Sequence, residues 1–354
     1  MGAGSVWVVP WNLFDSAMSR RETLLGQSVS ANLLRALARS FLVLVVAIVV
    51  NFALPRLAPG SAADYLLAPE NAVSLNSAQR KATLQQFGLD KSVSEQFIRY
   101  VNALAHGDML DSVRYGRPVR DLLMERLPWT LLLVGSSLTV ALVLGSFLGF
   151  ASAWKRGSSR DLLTMVLVVV LDSLPVFFVG MMLLFFFSLK LGWFPMFGGV
   201  QFGSASTGFS AVADVAKRLV LPLSTLVIAQ TGSIYLVARS AMVSELREDY
   251  VAFAVAKGLP NRRVRAHARR NSLLPVVTIG LVSLGTLIGG ATVVETVFSY
   301  PGVGRLVFDS VLARDYPVIQ GVFFALAITV ITANLVADLI TPLLDRRTIA
   351  RVDT

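Results

Sequence analysis

Long apolar runs separated by shorter polar segments dominate the pattern of this chain. A helix that crosses the roughly 30 Å hydrocarbon core of a bilayer needs about 20 mostly apolar residues. Segments that can supply this length lie at 37–57, 129–153, 162–189, 219–238, 273–297 and 318–339. None of them alternates apolar and polar residues as a barrel strand does, so the pattern predicts an all-α polytopic membrane protein with six transmembrane helices.

These spans divide the chain into a tail at 1–36, a first helix at 37–57, an external segment at 58–128, a helical core at 129–344 and a tail at 345–354. In the external segment, apolar residues around 84–89 and 97–104 recur at helical spacing and predict one or two amphipathic helices. The first span could instead be a cleaved secretory signal, although it begins far from the N-terminus for one. Three prolines are expected to kink or start spans: Pro175, Pro222 and Pro275.

The composition agrees with a membrane protein and excludes several other classes. Hydrophobic residues make up 55% of the 354 residues and charged residues only 15%, which argues against a disordered chain. The absence of cysteine excludes a disulfide scaffold and any thiolate site. No His-Glu-x-x-His, Gly-x-Ser-x-Gly or Gly-Lys-Ser/Thr motif occurs, so we expect neither an intramembrane hydrolase nor a phosphate loop for ATP.

The net charge of +10 is distributed unevenly across the predicted membrane. The segments that share a side with the termini carry 18 Lys and Arg, against 6 in the short segments opposite, once the long external segment is set aside. The positive-inside rule therefore predicts cytoplasmic termini and a cytoplasmic loop at 239–272. Five arginines crowd this loop between 262 and 270 and could bind nucleic acid, but their place between two spans favours a role in topology and contact with anionic lipid.

The loop at 239–272 is patterned rather than merely polar. Asp249 is expected to cap a helix that runs to Lys257 and stops at Gly258, followed by a second helix at 261–271. One face of the first helix is apolar and small; it contains Val251, Ala254, Val255 and Gly258. Such a face could dock into a groove on a soluble partner, or it could pack against the membrane helices of the chain itself.

Several motifs in consistent order resemble the permeases of ABC importers, most closely the dipeptide/oligopeptide/nickel branch. The resemblance extends from about residue 37 to 347. It rests on Asp249-Tyr250-Val251, Ala254-x-Ala256-Lys257-Gly258-Leu259, Ser173-Leu174-Pro175-Val176-Phe177, Glu295-Thr296-Val297-Phe298, Pro301-Gly302-Val303-Gly304 and Asp315-Tyr316-Pro317. The chain departs from the pattern at Ala252, where many such permeases have an acidic residue, so Glu248 or Asp249 would have to replace it.

The resemblance implies a type I importer permease fold in the bacterial inner membrane. It implies half of a translocation pathway for peptides or a related small solute such as a nickel chelate. The implied partners are a homologous permease, two ATPase subunits and an external solute-binding protein, with ATP and Mg²⁺ on the ATPases and no cofactor on this chain. The ATPase-coupling residues implied by it are Glu248, Asp249, Tyr250, Val251, Ala254, Val255, Lys257, Gly258 and Leu259.

Four residues are candidates for the translocation pathway: Asp172, Ser173, Pro175 and Glu295. Asp172 lies about 15 Å along the third span, where an acid costs roughly 2.5 to 3.5 kcal/mol and must face protein or water. It could meet the substrate or form a hydrogen bond between two permeases. It is also the residue on which the second hypothesis depends, an ion-driven secondary transporter. Glu295 could line the outer entrance or cap a local structure.

Overall fold

The computed structural model describes residues 37–53, 91–196 and 209–344, and the regular secondary structure of these residues is helical. The helices are α1 (Leu37–Ala53), α2 (Val93–Ala105), α3 (Val119–Trp154), α4 (Ser159–Asp172), α5 (Val176–Leu183), α6 (Phe209–Glu245), α7 (Asp249–Ala256), α8 (Asn261–Val297), α9 (Val303–Leu312) and α10 (Tyr316–Leu344). A π-helical segment, Leu184–Lys190, continues α5. The all-helical prediction is confirmed, and both predicted tails lie outside the described residues.

Helices overlie the described residues of the six predicted spans, with α4, α5 and the π-helical segment together following the third. Among the described residues, α3 and the Ser210–Glu245 part of α6 are long and apolar enough to cross a membrane by themselves. The bent pair of α4 with α5 and its π-helical continuation would form a third such span. The total of six transmembrane spans remains a prediction.

The helices extend further than their apolar runs. α3 begins at Val119, ahead of the apolar run at 129, and α6 begins at Phe209, ahead of the run at 219. The separate helix expected at 261–271 is wrong: α8 runs without a break from Asn261 to Val297, with Pro275 inside it. Hydropathy marks only the part of a helix that lies in lipid, whereas the backbone hydrogen bonds continue into the polar turns before it.

The third predicted span is not straight. α4 ends at Asp172 and α5 begins at Val176, and the two helical directions differ by 97°. Pro175 explains the break, because it has no amide hydrogen to donate to the preceding turn and it disfavours helical geometry in the residue before it. The expected effect of proline is confirmed here, whereas Pro222, like Pro275, lies within a continuous helix.

The scaffold of the molecule is formed by α3, α6 and α8. α3 and α6 share the most extensive helix contact, and α8 packs against both. Their main core contains Leu133 from α3, Leu226 from α6 and Leu287 from α8, with Phe298 and Tyr300 closing one end. Burying this many large apolar side chains between three helices stabilises their relative positions, so displacement of one helix is transmitted to the others.

The segment predicted to be external is attached to this scaffold through a buried carboxylate. Asp315, between α9 and α10, is fully buried and accepts hydrogen bonds from the Ser112 hydroxyl at 2.5 Å and the Arg114 amide at 3.0 Å. α2 confirms an amphipathic helix at the predicted residues 97–104, whereas 84–89 lies outside the described residues. It places the Tyr100 hydroxyl 2.9 Å from the Asn51 side-chain amide of α1. The segment at 91–118 is therefore tied to α1 and to the α9–α10 junction.

Candidate coupling and translocation sites

The short helix α7 has the ends that its sequence suggests, with one difference. It stops before Gly258, whose φ of +76° is left-handed and favours glycine, as predicted. The capping role expected of Asp249 is wrong. Glu248 occupies the N-cap position with extended backbone and no side-chain cap, and Asp249 is the first helical residue. Its carboxylate in the first turn still suits the positive end of the helix dipole.

Three polar side chains fasten α7 to the scaffold. The Tyr250 hydroxyl in the first turn of α7 donates to Glu245 Oε2 at the end of α6 over 2.6 Å. Asn271 Nδ2 of α8 lies 3.1 Å from the Tyr250 oxygen and 3.4 Å from the same Glu245 oxygen. This triangle joins the end of α6, the start of α7 and the polar part of α8, so α7 is held to both long helices.

One face of α7 packs against its own chain. Val251 is 7% exposed, and Ala254 and Leu259 are partly buried beside it. Together with Tyr250 on α7 and Val264 and His267 on α8, they line a hollow of about 170 Å³. Of the two possibilities left open by the sequence, packing against the chain itself is therefore correct for the Val251–Ala254 side.

The other face of α7 is exposed. Phe253 is 61% exposed and Val255 is 56% exposed, with Lys257 placing its ammonium 4.5 Å from the Phe253 ring centroid. The sequence pattern placed Val255 and Gly258 on the same face as Val251, but both are exposed. The side of α7 that packs against the chain contains Val251 and Ala254. Sequence reasoning missed Phe253, although a large aromatic residue in a helix of small residues was a usable signal.

A buried ion pair lies at the other cytoplasmic turn predicted by the charge distribution. Arg239 of α6 binds Asp161 of α4 through two hydrogen bonds, Nη2 to Oδ2 at 2.8 Å and Nε to Oδ1 at 2.9 Å. Ser152 of α3 also donates to Asp161 and lies 2.8 Å from the Tyr235 hydroxyl. The hydrogen bonds from Arg239 hold the pKa of Asp161 well below its usual range, even though burial opposes the charged form.

Three of the four pathway candidates come together at the break between α4 and α5. Asp172, Ser173 and Pro175 are all exposed there, and the Ser173 hydroxyl donates to the Val169 carbonyl at 2.7 Å. The carboxylate of Asp172 lies directly against Gly232 of α6, where a Cβ would overlap with it. In the described part of the chain, no group of three His, Asp or Glu side chains is placed to hold a metal ion.

The fourth candidate, Glu295, has a different environment. It is fully buried, and it accepts hydrogen bonds from the Thr130 hydroxyl at 2.7 Å and the Arg305 amide at 3.0 Å. Thr130 in turn accepts from the Val303 amide at 2.8 Å. These contacts link α3, the end of α8 and the first turn of α9, whose free amides favour an anion. The geometry favours the capping role over the entrance-lining role.

Comparison with known proteins agrees with this architecture. Residues 141–350 match the family described as binding-protein-dependent transport system inner membrane component. The oligopeptide transport system permease protein AppB of Bacillus subtilis (strain 168) is 34% identical over 90% of this chain and 99% of its own length. The di/tripeptide permease protein DppB of Pseudomonas aeruginosa (strain UCBPP-PA14) is 35% identical, covering 82% of this chain and 90% of its own length.

A third relative is the glutathione transport system permease protein GsiC of Salmonella paratyphi A (strain ATCC 9150 / SARB42). It is 37% identical over 84% of this chain and 91% of its own length. The family match and these full-length similarities confirm the resemblance that the motifs carry, and they give no support to an ion-driven secondary transporter. The chain belongs to the binding-protein-dependent transport system inner membrane components, the permease family of ABC importers.

Proposed function

We propose that this chain is one of two permease subunits of an ABC importer for peptides and that it is driven through the exposed face of α7. The observation that carries the proposal is the division of α7 into two sides. Val251 and Ala254 are packed against the chain, whereas Phe253 and Val255 project outward. An exposed apolar side chain on a firmly attached helix suits insertion into a groove of a soluble partner.

Because α7 is attached to α6 and α8, a partner that moves α7 would also move these two scaffold helices. Tyr250 connects α7 to Glu245 of α6 and Asn271 of α8, so a displacement of α7 acts on both helices. α8 is continuous from Asn261 to Val297, and its far end contacts α9 through Glu295. A movement imposed at one end can thus change the packing at the opposite end, which is what alternating access requires.

The energy source in this proposal is ATP bound by partner subunits. The chain lacks a Gly-Lys-Ser/Thr loop, and the description of its family refers to a binding-protein-dependent transport system. We assign the docking partner of α7 as an ATPase subunit, with Glu248 and Asp249 at the start of α7 as the candidate acids for contact with it. The termini and α7 then lie in the cytoplasm, as the distribution of positive charge predicts.

Peptides are the proposed substrates. The relatives described above are named for oligopeptide, di/tripeptide and glutathione transport, which are all peptide substrates. The chain spans nearly the whole length of each of these relatives, so it has room for the same permease core. The solute-binding protein would select among peptides before this chain meets them.

Replacing Phe253 by Asp tests the docking role. We expect the variant to remain in the membrane, to lose co-purification with its ATPase subunit and to lose ATP-dependent peptide uptake, because a charge cannot enter an apolar groove without a partner. The matched control is Ile98→Asp on α2, since Ile98 is 66% exposed and Phe253 is 61% exposed.

The Ile98 variant should retain its ATPase subunit. If the Phe253 variant kept both the ATPase subunit and full uptake, α7 would not be the docking element. If both variants lost the ATPase subunit, the effect would come from adding a surface charge and the assignment of α7 would also fail.

A further inference from the structure

The break between α4 and α5 places a carboxylate at the open end of a helix. α4 ends at Asp172 and the chain turns through 97° before α5 begins at Val176. In the last turn of α4 the Val169 carbonyl accepts from the Ser173 amide and the Leu171 carbonyl accepts from the Leu174 amide, which leaves the Val170 and Asp172 carbonyls without a backbone donor in the described residues. This end of the helix carries a partial negative charge of about half an electron. Asp172 adds a full negative charge at the same point, so the break is a concentrated anionic position.

The carboxylate of Asp172 is available to a ligand. Its side chain is exposed, and it makes no hydrogen bond or ion pair with any residue in the ranges that the structure describes. Two other acids of the described helices have partners, since Asp161 in the first turn of α4 is paired with Arg239 and Glu295 in the last turn of α8 accepts a hydrogen bond from Thr130. An acid in the third predicted span that lacks an internal partner is the one that can take a cation from outside the chain.

The neighbouring helix holds this carboxylate within the third and fourth predicted spans. Gly232 of α6 leaves the space that the Asp172 carboxylate fills. Asp172 lies 13 residues from the start of α4 at Ser159, and Gly232 lies 13 residues from the end of α6 at Glu245. At the rise of an α-helix both distances are about 20 Å, so both contacting residues lie well inside the helices that carry these two spans.

We infer that Asp172, together with the carbonyl end of α4, binds a primary ammonium group of a peptide during its passage. This inference rests on the proposed function, because it concerns the substrate of the same permease. A peptide that leaves water carries an ammonium group that needs replacement hydrogen bonds, and a carboxylate with helix-end carbonyls supplies charge-assisted ones. The ammonium can come from the amino terminus of the peptide or from a lysine side chain.

The test compares peptide probes in the complete transporter, reconstituted with its second permease, ATPases and binding protein. Uptake of Ala-Ala, N-acetyl-Lys-Ala and N-acetyl-Ala-Ala is measured for the wild type and for Asp172→Asn. The ratio of variant to wild type is taken for each probe, so that the preference of the binding protein cancels. We expect Asp172→Asn to lower uptake of at least one ammonium-bearing probe about tenfold, the loss of one charge-assisted hydrogen bond, and to leave N-acetyl-Ala-Ala unchanged.

Two further variants separate charge from structure. Asp172→Glu keeps the charge and should recover most of the uptake lost in Asp172→Asn, whereas Gly232→Ala displaces the carboxylate and should impair the ammonium-bearing probes selectively. Asp309→Asn on α9 controls for the loss of an acidic side chain outside the proposed site. The ratio of variant to wild-type uptake should stay near one for each of the three probes. The two ammonium-bearing probes identify the source, since Ala-Ala reports the amino terminus and N-acetyl-Lys-Ala the side chain.

Other results would overturn the inference. An equal loss for all three probes in an intact, ATP-hydrolysing complex would show that Asp172 does not recognise ammonium. Loss of the second permease from the Asp172→Asn complex would assign this residue to the contact between permeases instead. The proposed function fails separately, if the wild-type complex hydrolyses ATP without importing any of the three peptides.

Discussion

At the scale of single residues, the ion pair of Asp161 and Arg239 joins α4 to α6 through two hydrogen bonds. Both side chains are largely buried, and Ser152 completes the coordination of the carboxylate. Removing one partner of a buried ion pair leaves the other charge uncompensated, which lowers the free energy of unfolding far more than losing an exposed pair does. This pair therefore holds α4 to α6.

We predict that Asp161→Asn lowers the free energy of unfolding by about 3 kcal/mol, because Arg239, whose side chain is 23% exposed, loses its counter-ion in a largely buried site. Thermal unfolding of the purified permease in detergent checks this value. The control is Glu125→Gln, which breaks the exposed pair with Arg117 and should cost no more than about 1 kcal/mol. Equal shifts for the two variants would contradict the buried role of Asp161.

The pH dependence of the same pair follows from the lowered pKa of Asp161. A carboxyl group whose pKa is lower in the folded than in the unfolded state adds stability above its unfolded pKa and loses it as the pH falls through the folded pKa. The difference between wild type and Asp161→Asn should therefore stay constant around neutral pH and shrink only under strongly acidic conditions.

At the scale of elements, α7 depends on the turn that ends it. Gly258 adopts a left-handed backbone and directs the chain through Leu259 into the start of α8. A side chain there meets no neighbouring atom, so a substitution acts through backbone strain alone. The orientation of α7 relative to α8 is thus set by one turn and by the Tyr250 triangle.

We predict that Gly258→Val strongly reduces peptide uptake, because a β-branched residue disfavours the left-handed conformation and reorients α7. The protein should still insert in the membrane, since the core between α3, α6 and α8 is untouched. Uptake by cells and membrane content measured on the same sample check both parts.

Gly192→Val serves as the control for this change, because Gly192 has a φ of +63° and equally open surroundings at the end of the π-helical segment. It should lose far less uptake per molecule in the membrane. Normal uptake in the Gly258 variant would show that the geometry of this turn is irrelevant to coupling.

At the scale of the whole molecule, the orientation in the membrane is open to direct measurement. The chain contains no cysteine, so single cysteines can be introduced without removing others. We predict that cysteine at Asp108 reacts with a membrane-impermeant thiol reagent in intact cells and that cysteine at Arg262 reacts only after lysis. Both positions are exposed in the fold, so access depends on the side of the membrane. The reverse labelling would invert the topology.

Much of the fold could be predicted from local patterns. The apolar runs located the long helices, Pro175 located the break, and Gly258 located the end of α7, because each effect acts within a few residues of its cause. The family could also be read from motifs in order. The continuity of α8 could not be predicted, since no local signal distinguishes a helix that ends at 271 from one that continues.

The partners of the charged residues were decided by tertiary structure. Asp161 meets Arg239, and Glu295 meets Thr130 and Arg305, across sequence separations that no local pattern encodes. The same holds for the two sides of α7, where helical spacing grouped Val255 with Val251 although only Val251 is packed. Hydropathy and backbone preference are local properties and can be read along the chain. Which side chains become buried, paired or left free depends on how distant helices pack together.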